Sequence, residues 1–440
     1  MTEPSRSDRD DRLDEEAGRT PHASPPTDHP GSERGAPGRR AVLRGSALAL
    51  GGAGLGWAGA ASARPRTTTA PGTSPTVAAA LDGGDGEQLE QFHGAYQAGI
   101  TTEPQSHLSL IGLDLRPGRG REDLARLLRL LSDDAARLTA GLPALADTEP
   151  ELASAPSRLT VTFGLGPRLV TEMVPAGRAP ALRQLPAFAN DRLQDRWGQT
   201  DLVLQIGGDD LTTVDHARRM LLKDSRRFAV VRWVQNGFRR ARGSVPAGTT
   251  MRNVMGQVDG TVNLDPASPE FTGLVWADAP LASAGATTLV VRRIKADLDG
   301  WDKVGREGRE LAMGRRLSDG SPLTGTAEHD EPDFEARDAV GLPVIDPASH
   351  VRRARSDDPE QRFLRRSYNF TVGLDDGREE SGLVFLAYAK DAERQFVPIQ
   401  ARLAVQDRLN EWTETIGSAV YLLPPGAPQG GYVGESLVMA

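Results

Sequence analysis

Residues Ser106–Leu115 read SHLSLIGLDL, and residues Arg121–Gly141 read REDLARLLRLLSDDAARLTAG. The first alternates in the manner of a half-buried strand. The second carries Leu124, Leu127, Leu128, Leu131, Ala135 and Leu138 at helical spacing. Working outward, Arg158–Gly166 and Asp201–Gly207 read as two further strands, Leu211–Arg227 as a helix and Phe228–Phe238 as a strand. The order is β-α-β-β-α-β.

The same order returns downstream. Strand Thr287–Asp297, helix Trp301–Leu317, strands Asn369–Leu374 and Ser381–Lys390, helix Gln395–Ile416 and strand Ser418–Leu423 follow one another, with Asp376-Gly377 as a hairpin turn between the middle strands. Two such units predict an α+β fold of duplicated ferredoxin-like units, with antiparallel sheets and helices packed on their faces. The halves are expected at 89–250 and 251–440. A long irregular stretch, 318–368, interrupts the second unit, and loops of that length in compact domains tend to be functional.

The chain has 440 residues and a net charge of −8. Residues 1–63 hold 8 basic and 9 acidic side chains, which leaves −7 on the rest. That sign opposes phosphate neutralisation, so no nucleic-acid partner is expected. Cysteine is absent, which excludes disulfides, cysteine-ligated zinc, iron–sulfur clusters and thiolate-ligated haem together. A metal would need His, carboxylate, Tyr or Met. Of the histidines, His22 and His29 lie in the polar front end, and His93, His107, His216, His329 and His350 remain.

Residues 1–38 are rich in charge, Pro, Gly and Ser and are not expected to fold. Arg39-Arg40-Ala41-Val42-Leu43-Arg44 then precedes an uncharged Gly/Ala-rich run to Ala63, which ends in Ala61-Ser62-Ala63. The run is too weakly hydrophobic for a stable membrane anchor. Residues 1–63 therefore read as a cleaved twin-arginine signal, passed to the twin-arginine translocase and placing the mature chain outside the cytoplasm, in the cell envelope or secreted. Residues 64–88 read as a linker.

Three motifs carry chemistry. Gly256-Gln257-Val258-Asp259-Gly260-Thr261 lies between the two units, and taken alone Asp-Gly is a turn signal. His350 stands in the long loop as Asp346-Pro347-Ala348-Ser349-His350-Val351-Arg352-Arg353. Arg365-Arg366-Ser367-Tyr368 leads into a strand. Read singly, these are a turn, a surface histidine and a solvated basic rim.

In this order and spacing the three motifs resemble those of the dye-decolourising peroxidases: a G-x-x-D-G motif, a downstream histidine followed by arginines, then an arginine motif. The resemblance covers most of residues 90–439. It implies a duplicated ferredoxin-like fold with haem b in the second half, His350 as the iron ligand, and Asp259 and Arg365 as the groups acting on hydrogen peroxide. It further implies that Gly260, Thr261 and Val262 pass close to the porphyrin, that Arg355 meets a propionate and that Arg366 faces a salt bridge.

Asp407 is the candidate acceptor for the second nitrogen of His350, placed on the inward face of the helix 395–416, four residues after Leu403. Dyes, phenolics and other bulky organic reductants would be the electron donors. Trp197, Trp233, Trp276, Trp301, Trp412, Tyr388, Tyr421 and Tyr432 are available as relays, though most are expected in the core. The resemblance allows for a homo-oligomer. Two other functions share these residues: release of iron from haem, as in a deferrochelatase, and a binding protein of the same fold without haem.

Overall fold

The structure, a computed structural model, describes residues 85–375 and 378–439. The twin-arginine segment, most of the linker and the Asp376-Gly377 turn lie outside the described residues. The strands are β1 (His107–Leu115), β2 (Thr160–Leu165), β3 (Leu202–Gly208), β4 (Ala229–Phe238), β5 (Thr287–Ala296), β6 (Leu364–Arg365), β7 (Tyr368–Asp375), β8 (Arg378–Ala389) and β9 (Thr413–Leu423). The first half contributes α1 (Arg121–Thr139), α2 (Pro167–Met173) and α3 (Leu211–Ser225). The second contributes α4 (Phe271–Val275), α5 (Leu298–Asp302), α6 (Arg306–Met313), α7 (His350–Ala354), α8 (Ala392–Gln395), α9 (Val397–Gln406) and α10 (Glu435–Val438).

All the strand pairings are antiparallel, and they run β5-β9-β2-β3-β1-β4-β7-β8, with β8 returning to β5. The sheet therefore closes on itself, which removes the open edges of eight strands. Within the first half the order is β4-β1-β3-β2; within the second it is β9-β5-β8-β7. Two narrow seams join them. Leu165 pairs with Leu422 between β2 and β9, and Phe238 pairs with Asn369 between β4 and β7.

Alternation along the strands creates two cores. Leu108, Leu110, Val203, Leu289, Val291, Val384, Leu386, Ala419 and Tyr421 point inward and fill the ring. Their neighbours Leu113, Phe163, Leu204, Val290, Ala387 and Val420 point outward beneath the helices. Residue 112 must be glycine, because a Cβ there would lie 2.3 Å from the Trp233 ring. On α1, Leu124, Leu127, Leu128 and Leu131 are buried, each stabilising by roughly 1.5–3 kcal/mol. Asp210 starts α3 by accepting from Thr213 N at 2.8 Å.

Two expected helices are shorter than their apolar spacing suggested. Trp301–Leu317 divides into α5 and α6, because Asp297 caps a first short helix and Gly305 opens a second. Gln395–Ile416 ends as a helix at Gln406, passes through one 3₁₀ turn, Arg408–Glu411, and becomes strand at Thr413. Thr413 and Thr415 are β-branched and pair with Ala296 and Ile294 of β5. The stretch 318–368 also contains order: α7, β6 and isolated bridges joining Arg315 to Pro322 and Arg337 to Pro343.

Candidate active site

A cavity of about 790 Å³ opens on the outer face of the second-half strands, within the usual range of roughly 300–1,000 Å³ for ligand pockets. Ile294, Leu383 and Phe385 form its sheet wall, and Phe396, Ile399 and Leu403 bring in α9 and the residue before it. His350, Asp407, Asp259, Gly260, Thr261, Val262, Arg355 and Arg365 all line it. The structure thus gathers every site residue expected from the sequence around one space.

His350 is the first residue of α7. Its loop is shaped by Asp346, whose carboxylate accepts from Ala348 N at 2.7 Å and whose carbonyl accepts from Ser349 N at 2.9 Å. The ring Nδ1 lies 2.5 Å from Asp407 Oδ2. Asp407 stands one residue past the end of α9, rather than on its inward face, and its Oδ1 accepts from Leu409 N at 3.0 Å to start the 3₁₀ turn. One carboxylate therefore has two fixed tasks.

The two loops are also tied together. Arg408 pairs with Asp346 at 2.7 Å, and Arg408 N donates to Ala348 O at 2.9 Å. Nε2 of His350 is the ring nitrogen left toward the cavity, and 31% of the side chain is accessible there. Burial disfavours a charge on this ring. The charge and hydrogen bond of Asp407, with the charge of Asp259, outweigh that effect and hold the pKa above its ordinary value.

Asp259 sits on a loop closed by an antiparallel bridge between Arg252 and Val258, with Asp259 N donating to Met251 O at 2.8 Å. Asn253 Oδ1 accepts from both Met255 N and Gln257 N at 3.1 Å and shapes the turn. Gly260 has φ of 136°, a conformation that side chains rarely adopt. Asp259 Oδ1 accepts from Arg365 Nη1 at 3.0 Å, and Oδ2 has a long contact of 3.5 Å with Asn253 Nδ2.

Arg365 comes from β6, and its main chain is held by Asn263: Arg365 N donates to Asn263 Oδ1 at 2.7 Å, and Asn263 Nδ2 donates back to Arg365 O at 2.8 Å. Sequence reasoning missed Asn263, although it lies four residues after Asp259 in the same run. It also missed Glu328, which accepts from the hydroxyls of Thr250 and Thr261 and ties the long loop to the Asp259 loop. No periodicity marks such a residue. The side chain of Val262 is 58% exposed although apolar, and it lines the cavity.

Two neighbours have partners within the chain that the sequence did not suggest. Among the described residues Arg366 makes no salt bridge, against expectation; it is buried and donates to Thr102 O and Gln105 Oε1, since it enters the ring interior among neutral acceptors. Arg355 lines the cavity but pairs with Glu331 at 2.6 Å. Trp233, Trp276, Trp301, Tyr388, Tyr421 and Tyr432 are buried, and Trp197 and Trp412 are half-buried.

The profiles described as "Dyp-type peroxidase, N-terminal" and "Dyp-type peroxidase, C-terminal" match residues 97–239 and 250–428. A dye-decolorizing peroxidase of Thermobifida fusca is 36% identical over 93% of this chain and 99% of its own length. A deferrochelatase of Yersinia pestis is 32% identical over 93% and 97%. Among solved structures, a DyP-type peroxidase from Cellulomonas bogoriensis is 50% identical with a TM-score of 0.78, covering 81% of this chain and 100% of that one. Ferric DtpA from Streptomyces lividans is 38% identical with a TM-score of 0.77, covering 81% and 98%.

Proposed function

Since the chain belongs to the Dyp-type peroxidase family, a family of haem-binding enzymes, we propose that it is a haem b peroxidase in which His350 ligates the iron and Asp259 and Arg365 act on hydrogen peroxide. The observation that carries this reading is an imidazole nitrogen directed into a large apolar-walled cavity, backed by a carboxylate and sharing that cavity with a second carboxylate–arginine pair.

The residues present fit the cofactor. The aliphatic and aromatic walls suit a flat apolar ring, Gly260, Thr261 and Val262 offer main chain and an apolar side chain to it, and Arg355, whose charge is shared with Glu331, would be the cation for a propionate. Bound there, haem supplies the iron at which peroxide is reduced and the path for electrons from dyes, phenolics or other bulky organic reductants. His350 holds the metal through Nε2, while Nδ1 gives its proton to the bond with Asp407, which raises the basicity of the ring.

The Arg365 guanidinium is placed to stabilise the anion left when peroxide gives up its proton. Asp259 has Oδ1 engaged by Arg365 and Oδ2 comparatively free, so Oδ2 takes a proton from the incoming peroxide and returns it to the oxygen that leaves as water. An absorption spectrum of purified protein before and after one equivalent of hydrogen peroxide, with and without reductant, tests this. A spectrum without a haem band, or one indifferent to peroxide, overturns it.

The identical strand orders of the halves support reading the fold as two ferredoxin-like units. Arg39-Arg40 and Ala61-Ser62-Ala63 support export by the twin-arginine route. The relatives named deferrochelatase favour one second reading, iron release from haem. Metal-free porphyrin as the product, in place of oxidised reductant and intact haem, would identify it.

A further inference from the structure

The loop before β3 belongs to the first half of the chain, yet it carries Asn190 into the second half's cavity. The loop is firmly placed. Asp191 forms a buried ion pair with Arg292 of β5, Arg192 N donates to Thr415 O at 2.9 Å, and Gln194 N donates to Ile416 O at 2.9 Å. Asn190 Nδ2 donates to Asn410 Oδ1 at 2.8 Å, across 220 positions of sequence.

Asn410 brackets the turn on which Asp407 stands. Its Nδ2 donates to Leu403 O at 2.8 Å, which also accepts from Asp407 N at 3.0 Å, and makes a longer contact of 3.4 Å to Ala404 O, so it closes the last turn of α9. Its main-chain N donates to Asp407 O at 3.1 Å. The carboxylate of Asp407 is thus aimed at His350 from a turn whose far side is held by Asn410, and Asn410 is held in turn by Asn190. Among the described residues, Asn190 Oδ1 is buried without a hydrogen-bond partner. A buried amide oxygen left unpaired is destabilising, so packing alone would place an apolar residue there.

We propose that Asn190 and Asn410 are positioning residues for the His350–Asp407 pair, so that a side chain from one half of the chain sets the electron donation of the ligand in the other. The inference rests on the haem reading above. With the bracket intact, Asp407 keeps its short bond to Nδ1, the imidazole donates more strongly, and the ferric state of a bound iron is favoured. Without it the turn relaxes and donation weakens.

The test compares haem-loaded wild type with Asn190→Ala, Asn410→Ala and Asp407→Asn, by spectroelectrochemical titration of the ferric/ferrous couple and by thermal melting. Both asparagine variants should raise the reduction potential, in the same direction as Asp407→Asn. Adding Asn190→Ala to Asp407→Asn should raise it no further. Potentials at the wild-type value, with only the melting temperature lowered, would reduce the bracket to a structural support and overturn the inference. Should Asn410→Ala fail to fold for want of its helix cap, Asn190→Ala, which leaves that cap in place, decides alone. A wild-type protein that takes up no haem sinks the functional reading and this inference with it; a loaded wild type with unmoved variants sinks the inference only.

Discussion

Arg365 Nη1 lies 3.0 Å from Asp259 Oδ1, a contact that spans 106 positions and is held on the arginine side by the reciprocal hydrogen bonds of Asn263. Pairing fixes which carboxylate oxygen is committed and which is free. It also makes the two side chains one unit, so their losses should not be independent.

Asp259→Ala should slow the peroxide-driven spectral change by about 10²- to 10⁴-fold, the usual cost of losing a proton-transfer group. Arg365→Leu should cost about 10²- to 10³-fold, as for an anion-stabilising donor. The double variant should lose less than the product of the two. Stopped-flow mixing with hydrogen peroxide reads all three, and wild-type rates in both single variants would remove the pair from the mechanism.

His350→Ala should lose most of its haem, whereas alanine at His93, His107, His216 or His329 should leave the Soret band in place. His216 already has a structural task, with Nε2 2.9 Å from Asp147 Oδ2 in a buried pair. Haem retention by His350→Ala, together with loss in another variant, would reassign the ligand.

Asp224 of α3 gives a pH signature unrelated to the cavity. Burial, then the hydrogen bond and charge of Asp134 on α1, push its carboxyl up to about 8. A carboxyl with a folded pKa above its unfolded value of about 4 contributes fully to stability below that unfolded value. The contribution is lost as pH rises through the folded pKa. Melting temperature should therefore fall between about pH 4 and about pH 8, and Asp224→Asn should flatten that slope. An equally steep fall in the variant would exclude Asp224 as its source.

Arg292→Ala should be among the most destabilising substitutions outside the apolar cores. It leaves Asp191 buried and uncompensated, at a cost of about 3–5 kcal/mol. Urea unfolding measures it. Arg292→Met with Asp191→Leu should recover much of the loss, because two apolar side chains leave no charge stranded.

Arg39→Lys with Arg40→Lys should hold the protein in the cytoplasm, since the paired arginines are read by a receptor that charge alone does not satisfy. Cell fractionation shows it. Normal export of the double variant would end the twin-arginine reading.

The strands were legible because alternation survives wherever a strand divides two cores, as Leu108 and Leu110 divide from Leu113 and Leu115. Helix bounds were not, because they are set by side-chain caps such as Asp297 and Asp407, each of which starts a new short turn, and apolar spacing runs through them unchanged. Asp259 stands on a loop, His350 opens the five-residue α7 and Arg365 lies in a two-residue strand, where only motif order distinguishes them. Asn263, Glu328 and Asn410 act through main-chain hydrogen bonds or distant hydroxyls, and nothing in local composition announces such partners.

The two seams of the ring carry a further consequence. Inside each half the strands share long ladders, nine paired positions between β5 and β8 for instance, while Leu165–Leu422 and Phe238–Asn369 are single rungs. Rungs without neighbours open at lower free energy than ladders. Amide protons at the seams should therefore exchange with solvent ahead of those within either half. The two halves are held together less by these rungs than by the shared core inside the ring and by the Asn190 loop, whose main chain is bonded to Thr415 O and Ile416 O of β9.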